Sequence, residues 1–253
     1  MNKIEVEILN PFVVYGSERM MVTAARLTQR GHKIHNMKDF IELYEKPYTD
    51  DTVKGMCKLP HPTIQKFGVI NVAVVGASRR FLAQITRHQN EVKFMSASLQ
   101  YSDYTGAADF VIPYALLDTP NEEEYLAECS DAMVNYESTI ECGLDNDSAG
   151  YLAPQSLRNV LIISATPYQW KHMIGQRTCR RNTTETRYVM LRIWEELYKL
   201  SPAMFSPYTT GPFCQREICK EGKMSCGNYL RPEQTPAEIL HEDFPKLYKE
   251  KSL

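Results

Sequence analysis

The sequence predicts a single soluble domain in which short strands alternate with amphipathic helices. A chain of 253 residues and 29.1 kDa is long enough to bury a sizeable core. Its 43% hydrophobic and 24% charged residues are ordinary for a globular protein. Strand-type and helix-type spacings of apolar residues both occur along it. These three observations exclude a disordered or fibrous protein.

Net charge, hydropathy and cysteine content indicate which partners and which cellular compartment to expect. The formal net charge of −2 gives no signature of a nucleic-acid binder. No segment approaches the ~20 apolar residues that a membrane span requires. The opening residues MNKIEVEILN carry acids where a signal peptide would be apolar, so we expect no export. Seven cysteines, an odd number, fit a reducing compartment better than a disulfide framework. We therefore expect a cytoplasmic protein without membrane or nucleic-acid partners.

The first quarter of the chain predicts one strand and two helices. Residues 3–9 alternate apolar and charged side chains, which is typical of a half-buried strand. A helix is predicted from Glu18 until Gly31 stops it, and a shorter one from about Met37 to Tyr44. The composition of residues 45–66, rich in Pro, Thr and Asp, predicts a connecting loop.

A buried strand and a capped helix are predicted next. Residues 69–75 are a short β-branched apolar run that ends at Gly76. Ser78 can then cap a helix whose apolar face is Phe81, Leu82 and Ile85. Residues 89–106 are polar and aromatic with no firm period.

The middle of the chain predicts an extended segment, a helix and a central strand. Residues 110–117 suggest an extended piece broken by Pro113. Asn121 and Glu124 have the spacing of a capping box, and Gly143 closes the helix that they open. Residues 157–165 are apolar enough to pack centrally.

The strongest local signal is Thr166-Pro167-Tyr168-Gln169. It offers a Thr N-cap, Pro in the first helical position and Gln three residues after the cap. The helix is predicted to run to about Leu200. The last ~50 residues (about 205–253) are predicted to be a loop-rich, Cys-bearing tail of the same domain.

Two arginines lie on the apolar stripe of this predicted long helix. On a helical wheel, Arg177 and Arg181 fall among the apolar side chains of Trp170, Met173, Ile174, Tyr188 and Leu191. An inward guanidinium must find an anion or a ring of acceptors. Phosphate, carboxylate or the edge of a planar heterocycle would suit it. Alternatively, these arginines lie at the edge of the stripe or pair with Glu185 or Glu195.

A second polar group follows the Ser78 helix. Its members are Gln84, Arg87, His88 and Gln89, then Ser96, Ser98, Gln100 and Tyr101. They would suit a polar pocket, although a surface loop has a similar composition.

The tail cysteines Cys214, Cys219 and Cys226 could bind a metal, form a disulfide or stay free, and we favour free thiols. No zinc motif is present, so we predict no metal. No P-loop, Rossmann or serine-hydrolase motif is present either, so those protein classes have no support in the sequence.

Six segments in order resemble one family, the flavin-dependent thymidylate synthases. AARLT (24–28), the stretch 61–88 with its SR and QxxRH elements, and SLQYSDY (98–104) are similar to family segments. So are Pro154 to Arg177, Thr183 to Arg187, and the tail GPFCQREICKEGKMSCG. The resemblance covers about residues 3–227.

This resemblance implies an α+β fold, with a central sheet packed by long helices, and a homotetramer whose active sites form between subunits. It implies bound FAD and the reductive methylation of dUMP to dTMP. Methylenetetrahydrofolate would donate the carbon and NADPH the electrons, so the small-molecule partners are a nucleotide and a folate. No protein nucleophile is required, because the flavin carries the redox chemistry.

The resemblance also assigns individual residues. Arg177 matches the arginine that polarises the pyrimidine, a form of electrostatic catalysis. The cofactor-binding positions correspond to Thr28, Thr63, Arg87, His88, Gln89, Thr166 and His172. The substrate-binding positions correspond to Gln84, Arg87, Ser98, Leu99, Gln100, Gly150 and Arg177.

Several matched positions have lost a charge. Where the family has arginines, this chain has Gln89, Gln100, Gly150 and Tyr168. Thr166 stands in place of a family asparagine, and Phe67 or Lys66 in place of a family glutamate. Lys93, Arg158, Arg180 and Arg181 are cations that could replace the lost ones. Three interpretations follow: dUMP methylation, modification of another pyrimidine nucleotide such as hydroxymethylation, or a non-catalytic nucleotide-binding scaffold.

Overall fold

A four-stranded antiparallel sheet organises the chain. The computed structural model describes residues 4–247. The strands are β1 (Glu5–Ile8), β2 (Ile70–Ser78), β3 (Val92–Ser96) and β4 (Arg158–Ala165), and they lie in the order β1-β2-β4-β3. Every neighbouring pair is antiparallel, with Val72 opposite Ile163 in the centre of the sheet.

Helices lie between and after these strands in the chain. They are α1 (Phe12–Arg30), α2 (Met37–Glu45), α3 (Asp50–Cys57), α4 (Arg79–Ile85), α5 (Asn121–Glu141), α6 (Asn146–Gly150), α7 (Pro167–Arg177), α8 (Thr184–Leu200), α9 (Pro207–Thr210), α10 (Phe213–Arg216) and α11 (Pro236–Asp243). Short 3-10 turns occupy Gly31–Lys33, Pro62–Gln65, Tyr114–Leu116 and Gly222–Met224. The expected α+β class is confirmed.

The two faces of the sheet differ because side chains alternate along each strand. Ile70, Val72 and Val74 of β2 and Ile163 of β4 are buried against α7 and α8, whose Trp170 and Trp194 are also fully buried. On the opposite face a set of large apolar side chains is exposed: Val75, Met95, Val160 and Ile162. Nothing within residues 4–247 covers this second face.

Two helix starts and the strand β1 agree with the sequence predictions. The Ser78 side chain accepts from the Phe81 amide, and the Thr166 side chain accepts from the Gln169 amide at 3.3 Å. The alternating segment 3–9 contains β1, although residue 3 lies outside the described part. Local cap chemistry therefore predicts where α4 and α7 begin.

Other predictions in the first half of the chain were wrong. Residues 45–66 are not simply a loop, because Thr49 caps α3 there. The strand does not end at Gly76 but passes through it with a bulge, at a φ of 82° that favours glycine. The helix predicted from Glu18 begins six residues earlier, at Phe12. The segment 89–106 contains β3, whose five residues are too few for a firm period.

Two helix predictions in the second half were also wrong. The N-cap of α5 is Pro120, without a side-chain cap, so Asn121 and Glu124 form no capping box. The long helix does not run from Thr166 to Leu200, because it stops at Arg177 and α8 begins at Thr184. Asn182 explains part of this break, since its side chain donates to the Gln176 carbonyl at 2.7 Å.

One end of the sheet gathers the segments that matter for function. Ile70 at the start of β2 and Val92 at the start of β3 both pair with Ala165 at the end of β4. The chain leaving β4 there enters α7, which ends at Arg177. Between residues 4 and 247 there is no helix with the length and hydropathy needed to span a membrane.

Candidate functional site

Arg177 lies at the C-terminal end of α7, half-buried and held by three hydrogen bonds. Its Nε donates to Nε2 of His88 at 2.8 Å. Its two terminal nitrogens donate to the Gln84 carbonyl at 2.9 Å and to Oδ1 of Asn182 at 3.3 Å. The stripe arginine therefore meets a ring of acceptors. The alternative partners were wrong, because Glu185 accepts from the Ser78 amide and Glu195 lies beside Arg192.

His88 is neutral in this arrangement. Burial, and secondarily the Arg177 and His172 charges, lower the pKa of His88 to about 4. Its Nε2 must carry a lone pair to accept from Arg177, which places the ring proton on Nδ1. The His172 ring lies edge-on to it, with centroids 6.0 Å apart. The result is a fixed guanidinium beside an uncharged imidazole.

The matched residues nearest Arg177 are Gln84, Arg87 and His172. Gln84 contributes its backbone carbonyl, and the exposed Arg87 is close enough that its charge lowers the pKa of Arg177, secondarily to burial. His172 is exposed, and its Nε2 lies 3.1 Å from the amide nitrogen of Gln176. Gln89 is exposed just beyond His88. The cluster thus combines two cations with neutral polar groups.

Thr166 belongs to a neighbouring group at the same end of the sheet. Its hydroxyl donates to the Glu91 carboxylate at 3.2 Å. Glu91 also forms an ion pair with Lys66. The Lys66 ammonium in turn lies 5.4 Å from the centre of the Tyr168 ring. Glu91 adopts a φ of 54°, which is unusual for a residue with a side chain. Lys66 and Glu91 thus join the starts of β2 and β3 across the beginning of α7.

Thr28 and Thr63 lie further out. Thr28 is exposed near the end of α1, where its hydroxyl donates to the Ala25 carbonyl. Thr63 is exposed in the Pro62–Gln65 turn, which borders the same open cavity as His172. None of the described contacts joins Thr28 to the Arg177 cluster.

Ser98, Leu99, Gln100 and Gly150 form a separate group. The Ser98 hydroxyl accepts from the Gln100 amide at 3.1 Å. Leu99 packs over Gly150, where an added Cβ would lie 3.2 Å from the Leu99 Cβ. The glycine therefore gives a close backbone approach, and a larger side chain there must displace Leu99.

This second group is at the far end of β3. The register runs from Val92 opposite Ala165 to Ser96 opposite Leu161, a length of about 13 Å. The chain then leads into Ser98. None of the described contacts joins the Ser98–Gly150 group to Arg177.

Two of the four possible replacement cations are already paired. Arg158 donates to Asp109 at 2.8 Å and to the Gly76 carbonyl, and Arg180 donates to Glu242 and Asp243. Neither is available to hold a phosphate. Lys93 and Arg181 are exposed, and Arg181 borders a cavity of about 300 Å³ beside Arg177.

Sequence reasoning missed two cations, the buried Lys171 and the half-buried Arg216. Lys171 donates to Sγ of Cys57 at 3.0 Å and to Oε1 of Gln65 at 2.8 Å. Arg216 of α10 lies beside it on the wall of an open cavity of about 460 Å³. A lysine next to Trp170 on the apolar stripe was the only available signal. Tertiary packing, not local pattern, places these two charges.

All seven cysteines are free thiols. Cys179, Cys214, Cys219 and Cys226 border the 300 Å³ cavity, and burial raises the pKa of Cys179. Among residues 4–247, no group of three or more His, Cys, Asp or Glu side chains is arranged to hold a metal ion.

Solved structures share this fold. A UMP/dUMP methylase from Streptomyces cacaoi, bound with 5-Br dUMP, superposes with a TM-score of 0.61 at 15% identity, covering 83% of this chain and 96% of that one. A thymidylate synthase X from Helicobacter pylori, solved with FAD and dUMP, gives a TM-score of 0.59 at 16% identity, covering 81% and 99%. The fold is that of the flavin-dependent thymidylate synthases.

Sequence comparison gives the family. The model described as "Thymidylate synthase complementing protein" matches residues 13–203. The flavin-dependent thymidylate synthase of Thermococcus onnurineus is 26% identical over 65% of this chain and 69% of its own, and that of Pyrococcus abyssi 24% over 79% and 86%. The chain therefore belongs to this enzyme family, as a divergent member, and the suspected resemblance is confirmed.

Proposed function

We propose that this protein methylates a uracil deoxynucleotide, dUMP, to dTMP with FAD as cofactor, and that Arg177 polarises the pyrimidine. NADPH is the proposed reductant and methylenetetrahydrofolate the proposed carbon donor. The relatives named above are flavin-dependent thymidylate synthases, which supports the general activity.

The observation that carries the proposal is the charge state around Arg177. Its three hydrogen-bond partners among the described residues are an imidazole, an amide and a carbonyl, all neutral. Its charge is therefore held in place without being neutralised. Such a fixed cation stabilises the negative charge that develops on a pyrimidine when it is activated, without reorganisation at that moment.

The polar residues around His172 fit a flavin cofactor. The open cavity of about 460 Å³ has Tyr168 and His172 on its wall, which offer aromatic faces, and Lys171 and Arg216, which offer positive charge. When bound there, FAD would supply the hydride that reduces the transferred carbon. The chain's own part is to bind, orient and polarise.

We further propose that the active site is completed by another subunit. Among the described residues, no contact within one chain joins the Ser98–Gly150 group to the Arg177 cluster. The uncovered sheet face with Val75, Val160 and Ile162 is an apolar surface suited to a second copy. Its edges carry opposite charge, Glu5 and Glu7 on β1 and Lys93 on β3, which is self-complementary under a two-fold axis. A homotetramer would satisfy both features.

The first experiment is the visible absorbance spectrum of the purified protein with and without added FAD. Flavin bands that persist through gel filtration support the cofactor, after which the nucleotide product is identified by mass spectrometry with dUMP or UMP as substrate. Formation of dTMP supports the proposal, and a different modified pyrimidine replaces it with the alternative substrate. A protein that stays colourless in excess FAD overturns it in favour of a scaffold. In the same assay Arg177→Gln should lose product formation, and Arg30→Gln, at the exposed end of α1, is the matched control that should keep it.

A further inference from the structure

The open cavity beside His172 has a cationic wall with no acid on it. It lies between the Pro62–Gln65 turn, α7 and α10, and encloses about 460 Å³. Two of its wall residues, Lys171 and Arg216, carry charge. None of the described residues on its wall is an aspartate or a glutamate. Two positive charges on a wall without an acid attract an anion.

Lys171 is held in an unusual state for a lysine. It is 6% exposed, and its ammonium donates to Cys57 Sγ and Gln65 Oε1, neither of which is a carboxylate. Burial lowers the pKa of Lys171, and the nearby Arg216 contributes in the same direction. An ammonium has three N–H groups, so one remains after these two bonds. A bound anion would compensate for the burial of this charge.

Arg216 has a donor to spare as well. Its Nε is buried without a hydrogen-bond partner among the described residues, while Nη1 reaches the Thr209 carbonyl at 3.4 Å. A buried donor without a partner is costly, which makes a missing ligand the natural complement. The acid next to Arg216 in sequence, Glu217, forms an ion pair with Lys220 at 3.5 Å. The carboxylate of Glu217 is therefore partly neutralised by Lys220.

Gly175 positions the Arg216 side chain. An added Cβ at Gly175 would lie 2.9 Å from Nη2 of Arg216, so a side chain there would move this guanidinium away from α7. The guanidinium also stacks 5.1 Å from the centre of the Phe213 ring. The charge is therefore fixed by packing on two sides, as a binding residue requires.

We propose that Lys171 and Arg216 form a diphosphate-binding site and that, resting on the proposed function, its ligand is the diphosphate of the dinucleotide cofactor. Guanidinium and ammonium groups together suit adjacent phosphates. Two positions that resemble arginines of the family are uncharged here, Gln89 and Tyr168. In this chain, Arg216 of α10 and Lys171 of α7 supply the positive charges that are lost at those two positions.

The test separates the diphosphate from the flavin ring. Apoprotein is titrated with FAD and with riboflavin, which lacks phosphate, by quenching of flavin fluorescence, and inorganic pyrophosphate is used as a competitor. In Arg216→Gln we expect affinity for FAD to fall about 10- to 100-fold, the effect of losing a charge-assisted hydrogen bond, while riboflavin binding is unchanged. Pyrophosphate should displace FAD from the wild type and do so poorly in the variant.

Two further variants guard against misfolding. Gly175→Ala keeps the Arg216 charge but displaces it and should lower FAD affinity in the same selective way. Arg231→Gln, an exposed arginine 3.7 Å from Glu233, is the control and should change nothing. Equal loss of FAD and riboflavin affinity, or no loss of either, overturns the proposal. If the wild type binds pyrophosphate through Arg216 but no flavin, the diphosphate site stands and the proposed function fails.

Discussion

Arg177 and His88 are joined by one hydrogen bond, 2.8 Å from Nε to Nε2, across 89 residues of sequence. The bond sets a property of each partner. It orients the guanidinium of Arg177, and it requires the imidazole of His88 to be neutral with its proton on Nδ1. A cation is thereby held by a group that does not cancel its charge.

Acidification should destabilise the protein through His88. The pKa of His88 is about 4 in the fold and about 6.5 when unfolded, so between these values the unfolded chain binds more protons. The free energy of unfolding should therefore fall by about 1–2 kcal/mol as pH drops from 6.5 to 4, after allowing for partial solvation of the ring. Urea unfolding at several pH values measures this. The same series on His88→Gln should be flatter in that window, and an equally steep series would assign the effect to other groups.

Two replacements of His88 should show whether its role is to accept the hydrogen bond from Arg177 or only to fill space. His88→Gln retains an oxygen acceptor for Arg177, whereas His88→Leu leaves the Arg177 Nε without one. We expect His88→Leu to lose about 1–3 kcal/mol of stability and to bind nucleotide more weakly than His88→Gln. Thermal unfolding and nucleotide titration give both quantities. Equal behaviour of the two variants would contradict the acceptor role.

Arg177→Ala should abolish turnover without disrupting assembly. Removing a preorganised electrostatic donor costs about 10²- to 10³-fold in rate, and the Arg177 side chain is only half-buried. Arg177→Lys keeps the positive charge but loses the planar guanidinium with its several N–H donors, so it should recover little of the activity. Product formation and analytical ultracentrifugation are measured side by side. Activity like that of the wild type in Arg177→Ala would remove this residue from the mechanism.

The lost cations near Ser98 can be restored one at a time. Gln100 is exposed, so Gln100→Arg should fold normally and raise dUMP affinity about tenfold or more if the phosphate lies there. Gly150→Arg should instead destabilise the protein, because its Cβ would lie 3.2 Å from Leu99. Adding Leu99→Ala should relieve part of that cost. Calorimetric titration with dUMP is the readout, and unchanged affinity in Gln100→Arg would place the phosphate elsewhere.

Mixed oligomers test whether the active site is shared. Arg177→Ala and Ser98→Asp damage the Arg177 cluster and the Ser98–Gly150 group respectively, and each variant should be inactive alone. If one site uses both groups from different chains, co-refolding the two variants should restore part of the activity. No recovery, with mixed oligomers verified by mass spectrometry, would place the whole site within one chain.

Local chemistry made part of this structure predictable. The caps at Ser78 and Thr166 depend on neighbouring residues only, so the starts of α4 and α7 follow from sequence. The end of α7 does not, because the Asn182 side chain that bonds the Gln176 carbonyl competes with helix continuation. The strand β3 is defined by its pairing with β4, a tertiary contact.

The candidate site was predictable mainly through resemblance. A helical wheel places Arg177 on an apolar stripe but cannot name His88, which lies far away in sequence. Lys171 follows Trp170 and would ordinarily be assigned to the surface. Its burial against Cys57, 114 residues away in sequence, is a tertiary contact. The close approach of Leu99 to Gly150 is likewise a tertiary contact.

The strand order has a consequence for how this chain acquires its structure. The strand β4 lies between β2 and β3, yet it is the last of the four to be synthesised. Until Arg158–Ala165 leaves the ribosome, β2 has only β1 to pair with and β3 has no partner in the sheet. Such non-local pairing makes folding slow and leaves strand edges exposed for longer. Nascent chains that end before residue 158 should therefore be highly sensitive to proteases and become protected once β4 has been added.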